Sequence, residues 1–185
     1  RSRVTRLFRT AIDEVIDAPR TGRLVLSATE KTEKTYLGTK IEILLRSALG
    51  FEKGYILDMS VSETEVDIKT TMGSTWTIPP ENNDRIAILV KTDDVKAICS
   101  VGVGLMRKEY LSDGQNRDGK RTIRAESKKH IWWLLRDTPY PPNMWEQIDP
   151  AILHDILNAG AATARMTRLF EAIQDRPISR THVQA

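Results

Sequence analysis

Three carboxylates and one amine follow one another between Glu42 and Lys69, at the ends of successive predicted elements. Asp67 and Lys69 lie two residues apart in a strand-like run, so both side chains leave the same face of a sheet, with Cα atoms roughly 7 Å apart. Asp58 ends the apolar run Tyr55–Asp58, which also reads as a strand, and a tight return would bring both aspartates to one cation. Their hard oxygen atoms suit Mg²⁺. Metal-dependent phosphodiester cleavage requires this set of groups.

Glu42 lies at the margin of the apolar stripe on a helix predicted over Gly38–Leu49. A carboxylate in that position is partly desolvated and needs a partner. The partner is either a metal centre or a cation, Arg46 or Lys69. The sequence leaves these alternatives open.

An exposed strand could carry the same acid-any-lysine pattern without any function. Glu63 and Glu65 share one face of the predicted strand, as they would in a solvated ladder. Three details favour a site instead. Asp58 closes an apolar strand, Glu42 borders an apolar helix face, and the strand that carries Asp67 lies among runs that look buried.

The elements that position these residues form an α/β arrangement, a sheet flanked by helices. An apolar stripe from Val4 to Val15 predicts an opening helix, which Ala18–Gly22 interrupts. Ile86–Val90 is apolar without alternation, which predicts a central strand covered on both faces. The predicted strands are Tyr55–Met59, Glu63–Thr71, Arg85–Lys91 and Lys96–Met106.

From Lys128 onward, the sequence predicts mainly helices. Lys128–Arg136, with Trp132 and Trp133, predicts a helix whose tryptophans lie in the core or in a dimer interface. Further helices are predicted at Ala151–Leu157 and Ala161–Ile173, and Ser179 is expected to cap a last helical turn. The three histidines show no metal-ligand spacing, so we expect structural or exposed roles for them.

Composition points to one main domain that is not inserted in a membrane. The 185 residues are 40% hydrophobic and 29% charged, and no apolar stretch is long enough to cross a bilayer. The net charge of +3 is small, but Arg107–Lys129 holds eight basic against four acidic residues, and Arg1, Arg3, Arg6 and Arg9 crowd the first turns. Such local excess suits a polyanion. The single cysteine, Cys99, predicts a buried apolar residue and a reducing cytoplasm.

The site spacing resembles that of a known enzyme family. Asp58 follows Glu42 by sixteen residues, Asp67 follows by nine more, and Lys69 by two, as in NaeI-type restriction endonucleases of the PD-(D/E)XK fold. The resemblance extends to Gly114–Thr122 and Pro141–Asn143, and covers roughly residues 4–160. Leu57 stands where the common motif has a proline, at a position that varies in the superfamily.

This resemblance implies a bacterial, cytoplasmic, Mg²⁺-dependent type II restriction endonuclease. Glu42, Asp58, Asp67 and Lys69 would be catalytic. We expect Asp58, Asp67 and the Ile68 carbonyl to hold the metal, and Glu42 to complete the metal site through a water or a second cation. The fold implied is a central mixed sheet flanked by helices, in an endonuclease domain over residues 1–160. Residues 161–185 would be a linker helix and the start of a helix-turn-helix, winged-helix-like DNA-binding domain. They are too few to complete it, so either the chain is a fragment or the second site is absent.

The resemblance also favours double-stranded DNA as the ligand of the loop around Gly114–Gly119, which would otherwise read as a mobile turn. Cleavage of a palindrome, GC-rich by resemblance, calls for two sites related by a twofold axis, and hence for a homodimer. The alternatives are a repair nicking endonuclease of the same fold, a DNA-binding module that does not cleave, and a structural domain without metal. The expected DNA-binding residues are Asn116, Arg117, Lys120, Arg121 and Arg124.

Overall fold

The structure, a computed structural model, describes residues 2–183 and divides them into two compact units. The first contains the described residues of 1–8 together with 38–141, and the second those of 9–37 and 142–185. Arg1, counted above among the basic residues, and Gln184 and Ala185, at the end of the second predicted domain, lie outside the described residues. The expected division at residue 160 stays a prediction.

A five-stranded mixed sheet forms the centre of the first unit. Its strand order is β1-β2-β4-β5-β7, in which β2 and β4 run parallel and every other pair is antiparallel. The apolar strand β4 is central, as predicted, and the mixed α/β class with flanking helices is confirmed. The strands are β1 (Met59–Val61), β2 (Thr64–Thr71), β4 (Ile86–Asp93), β5 (Ile98–Leu105) and β7 (Trp132–Pro139), and the short β3 (Thr77–Ile78) pairs with β6 (Arg121–Thr122).

Residues 2–183 also contain five α-helices and several 3₁₀ turns. Helix α3 begins seven residues before the predicted Gly38, at Lys31, whereas α1, α4 and α5 lie close to their predicted bounds. The helices are α1 (Ser2–Ile16), α2 (Ala18–Thr21), α3 (Lys31–Leu49), α4 (Pro150–Leu157) and α5 (Ala162–Ala172). The 3₁₀ turns are Leu26–Ala28, Pro80–Asn82, Lys108–Tyr110, Glu126–His130, Trp145–Gln147 and Arg180–His182.

The predicted helix over Lys128–Arg136 was wrong. After a 3₁₀ turn that ends at His130, the chain extends as β7 and pairs with β5. Gly102 of β5 makes this possible, because a Cβ there would collide with Ile131 and lie 3.1 Å from Cε3 of Trp133. Trp133 packs on the buried cluster below, while Trp132 is 72% exposed. Aromatic residues are common in strands. The packing of β7 against Gly102 of β5, which the local sequence does not show, determines the extended structure.

The predicted strand over Tyr55–Met59 was wrong as well. Residues 55–58 form a bend, and the strand β1 begins only at Met59. The backbone N–H groups of Tyr55, Ile56 and Leu57 bind the side chain of Glu65, so they are not available to a strand partner. Asp58 therefore stands just before a strand rather than at the end of one.

An apolar cluster closes one face of the sheet. It joins Ala87 and Leu89 of β4 to Trp76, Ile78, Met106, Leu111, Ile123 and Ile131, all buried. Cys99 is buried in β5, and burial raises the pKa of its thiol to about 11, which agrees with the prediction of an inert apolar residue.

The second unit is helical. Asp149 caps α4 by accepting hydrogen bonds from the amides of Ala151 and Ile152, and Pro150 occupies the first helical turn. Ser179 caps the Arg180–His182 turn, as predicted. No helix within residues 2–183 is both long and apolar enough to span a membrane.

Candidate active site

Asp58 and Asp67 meet across the β1–β2 pair. Met59 pairs with Val66, so the next step of the antiparallel register sets Asp58 opposite Asp67. Oδ2 of Asp58 accepts a hydrogen bond of 2.7 Å from the amide of Ile68, which fixes the side chain against β2. Hydrogen bonding to Asp58 and its negative charge both contribute to the raised pKa of Asp67, so the two carboxyl groups influence each other.

Asp67 is almost completely buried. Its register partner on β4, Ala87, and the next inward-facing residue, Leu89, belong to the apolar cluster and are fully buried. Burial is the main cause that raises the pKa of Asp67 to about 7, Asp58 adds to the shift, and Lys69 opposes it. Nζ of Lys69 donates to Oδ1 of Asp67 at 2.7 Å. The predicted common face of Asp67 and Lys69 is thus present.

Glu42, on α3, lies close to the carboxylate of Asp58. We call the carboxylates of Glu42, Asp58 and Asp67 the acidic group. Burial, followed by the charge of Asp58, raises the pKa of Glu42, although Arg46 and Lys69 act in the opposite direction. Arg46 lies 3.7 Å from Oε1 of Glu42, which is within ion-pair range but too long for a hydrogen bond, and it donates to the backbone carbonyl of Asp58 at 2.9 Å. Both alternatives for Glu42 remain, and burial has the largest effect on the pKa of its carboxyl group.

The acidic group fits a hard divalent cation. Oδ2 of Asp67 is buried and receives no hydrogen bond from any donor within residues 2–183. Burying an oxygen acceptor in this way costs free energy that a cation would recover. In the described part of the chain, no three acidic, histidine or cysteine side chains are arranged as a ready-made metal cage. One or two carboxylates with several waters is the coordination that Mg²⁺ favours.

Glu65 has a role that the sequence did not indicate. Its carboxylate accepts hydrogen bonds from three successive amides, at 2.5 Å from Tyr55, 2.9 Å from Ile56 and 3.0 Å from Leu57. The bond to the Ile56 amide is the main cause that lowers the pKa of Glu65. Glu65 therefore ties the bend before Asp58 to the strand that carries Asp67. The sequence offered one signal, that Glu65 lies on the same strand face as Asp67 and Lys69. A row of charged residues on an exposed strand would show the same pattern.

The structure gives the predicted DNA-binding residues different surroundings. Oδ1 of Asn116 accepts from the amides of Asp118 and Lys120 and so folds its own loop. Arg124 donates to the Leu111 carbonyl at 2.7 Å and to Asp113 at 2.6 Å, so its guanidinium is engaged in the fold.

Three basic side chains in and next to the loop make fewer contacts within the fold. Nζ of Lys120 lies 3.8 Å from the Asp118 carboxylate, a long contact at the surface. Within residues 2–183, Arg117 and Arg121 form no side-chain hydrogen bond or ion pair, and Arg117 is exposed. DNA contact by these five residues stays a prediction.

Comparison with known proteins agrees with the resemblance inferred from the site spacing. The chain matches the family described as Restriction endonuclease NaeI over residues 1–185. It is 28% identical, over 186 aligned positions that cover 96% of the chain, to the type II restriction enzyme NaeI of Lentzea aerocolonigenes. The chain spans 58% of the length of that relative. Because the family match extends from the first residue to the last, this chain belongs to the Restriction endonuclease NaeI family.

Proposed function

We propose that the chain is the nuclease part of a Mg²⁺-dependent type II restriction endonuclease, which hydrolyses phosphodiester bonds of double-stranded DNA at a specific site. The observation that carries the proposal is the meeting of Asp58 with Asp67, with the Lys69 amine 2.7 Å from Asp67. Family membership supports it. The relative's name states type II restriction, and this chain covers 58% of that protein.

The carboxylates of Asp58 and Asp67, with Glu42 at their margin, are the residues that would hold the cation. Mg²⁺ bound there supplies positive charge to the scissile phosphate and lowers the pKa of a coordinated water. Asp67 holds the Lys69 amine next to the reacting phosphate. Lys69 then orients or deprotonates the attacking water and offsets the negative charge that develops on phosphorus. The carbonyl of Ile68 remains a proposed additional metal ligand.

Glu42 has a supporting role in this proposal. Its carboxyl group is half-buried and close to Asp58, and its pKa is raised. It can accept a hydrogen bond from a metal-bound water or contact a second cation.

DNA placement would come from Arg117, Lys120 and Arg121, whose cationic groups make few contacts within the described part of the chain. Asn116 and Arg124 would contribute by shaping that loop as well as by contacting DNA. Cutting both strands of a palindromic site, GC-rich by family resemblance, requires a second copy of the site, so a homodimer in the bacterial cytoplasm is part of the proposal.

Plasmid cleavage tests the proposal directly. Wild type is incubated with supercoiled plasmid and Mg²⁺, in parallel with Asp67→Ala, Lys69→Ala and the surface control Glu63→Ala. We expect linear fragments from wild type and from the control, and a loss of roughly 100-fold or more in the two site variants. Nicked product alone would favour a nicking endonuclease. Equal behaviour of all four folded proteins would refute nuclease activity at this site.

A further inference from the structure

The bend before Asp58 presents two large apolar side chains to solvent. Tyr55 is 98% exposed and Ile56 is 60% exposed. Single exposed apolar residues are common on protein surfaces, but two adjacent ones at the tip of a bend next to an acidic site form a distinct feature. We call Tyr55 and Ile56 the apolar finger.

The backbone of the apolar finger is held in place. Glu65 binds the amides of Tyr55, Ile56 and Leu57, so all three successive donors point inward and both side chains point outward. Gly54 tightens the bend further, because a Cβ at this position would collide with the Leu57 carbonyl oxygen. A preorganised contact loses little conformational entropy when it binds a ligand.

The apolar finger is also close to the acidic group. Ile56 precedes Asp58 by two residues and Tyr55 by three, so Tyr55 lies within about 10 Å of Asp58 along the chain. A phosphate bound next to Asp58 and Asp67 would therefore bring its own sugar, and the adjoining groove, within reach of these side chains. Apolar side chains that enter a DNA groove or wedge between base steps are a known means of recognising and bending DNA.

We propose that the apolar finger enters a groove of duplex DNA next to the phosphate that is cut, and packs on sugars and base edges there. This inference rests on the proposed nuclease function. The contact contributes to DNA affinity and to the position of the scissile phosphate, and it does not depend on the Arg117–Arg121 loop.

The test is a double variant, Tyr55→Ser with Ile56→Ser, in the full chain. Val95→Ser is the matched control, because Val95 is also an exposed apolar residue, with 97% of its surface accessible. It lies in the turn that follows β4, whereas Glu65 and the apolar finger lie near the start of β4, so the control is far from the candidate site. Binding is measured with Ca²⁺ in place of Mg²⁺, using a labelled duplex that spans a cut site mapped on plasmid DNA. Cleavage of the same duplex is then measured with Mg²⁺. Unfolding curves check that both variants are as stable as wild type.

We expect the finger variant to bind DNA roughly tenfold more weakly and to cleave more slowly, while Val95→Ser matches wild type. Equal affinity of wild type and finger variant would overturn the inference and leave the proposed nuclease function intact. Should wild type cut no DNA, the nuclease function fails, and binding of plasmid fragments in Ca²⁺ decides about the finger. In that case an unchanged affinity in the variant, or no binding by wild type, overturns it.

Discussion

The Asp58 carboxylate accepts a hydrogen bond of 2.7 Å from the backbone amide of Ile68, the residue between Asp67 and Lys69. A side chain thus continues the β1–β2 pairing at a position where the strand β1 has not yet begun. This bond fixes the Asp58 side chain relative to Asp67 and Lys69.

Two replacements of Asp58 should separate its structural and chemical roles. Asp58→Asn keeps an oxygen acceptor for the Ile68 amide but removes the charge, so we expect near wild-type stability with cleavage reduced by roughly 100-fold or more. Asp58→Ala also leaves that amide unpaired, which should lower the free energy of unfolding by about 1 kcal/mol. Cleavage rates and urea unfolding measure the two effects. Full activity in Asp58→Asn would contradict a role in metal binding.

Asp67→Asn should stabilise the metal-free protein in a pH-dependent way. The pKa of Asp67 is about 7 in the fold against an ordinary value of 3.8, so the native state binds a proton more tightly than the unfolded chain. Wild type therefore loses stability as pH rises from about 4 to about 7. Asparagine has no proton to lose at these pH values, and its amide can donate to Asp58.

At about pH 8 in EDTA, we expect Asp67→Asn to raise the free energy of unfolding by about 1–3 kcal/mol, and near pH 4 we expect no difference. Addition of Mg²⁺ should stabilise wild type alone, because the variant lacks the anionic ligand. Urea unfolding at both pH values provides the measurement. A gain that is the same at both pH values would point to a packing effect rather than to the ionisation of Asp67.

Glu65→Gln should weaken metal binding without touching the metal ligands. The glutamine retains one oxygen acceptor in place of a carboxylate that serves three amides, so the bend that precedes Asp58 becomes less ordered. We expect the Mg²⁺ concentration for half-maximal cleavage to rise roughly tenfold, with a smaller change at saturating Mg²⁺. Glu63→Gln, at an exposed turn position, is the control. Identical Mg²⁺ titrations of the two variants would show that Glu65 does not position Asp58.

Arginine variants of the loop should differ in kind. Arg117→Ala and Arg121→Ala remove cations without a partner in the described part of the chain, so each should reduce the salt dependence of DNA binding by about one counterion. Arg124→Ala should instead destabilise the fold, since Arg124 bonds the Leu111 carbonyl and Asp113. Binding titrations at several salt concentrations, together with unfolding curves, distinguish these outcomes. An unchanged salt slope in both former variants would argue against phosphate contacts at this loop.

Gly102→Ala should destabilise the sheet. A Cβ at Gly102 would collide with Ile131 and press on Trp133, so β7 would have to move away from β5. The expected loss is about 1–3 kcal/mol in the free energy of unfolding. Gly114→Ala is a matched control, because the added methyl group meets no atom within 4 Å. A Gly102 variant as stable as that control would contradict the close approach of the two strands.

The sequence predicted those features that depend on the local pattern of apolar and polar residues. Asp67 and Lys69 share a face because they are two residues apart in a strand, and the apolar run at Ile86–Val90 identified the central strand. The strand β7 was not predictable in this way, since its adjacent Trp132 and Trp133 carry no polar spacing. Its extended form depends on a glycine in another strand.

The role of Glu65 was hidden for a similar reason. Its partners are backbone amides eight to ten residues earlier in the chain. Those amides lie in the segment 55–58, which is a bend but was predicted as an apolar strand. Glu42 could be placed on its helix, but its closeness to Asp58 depends on how that helix meets the sheet. The sequence therefore left its partner open, and the fold brings it to the acidic residues.

The tryptophans differ in exposure, so the intrinsic fluorescence of the protein can report on one region of its surface. Trp76 and Trp145 are buried, whereas Trp132 on the terminal strand is 72% exposed. Fluorescence quenching by acrylamide will therefore report mainly on Trp132 in the native protein. Any partner molecule that covers this end of the sheet should protect that indole from the quencher, even where it leaves the reaction rate unchanged.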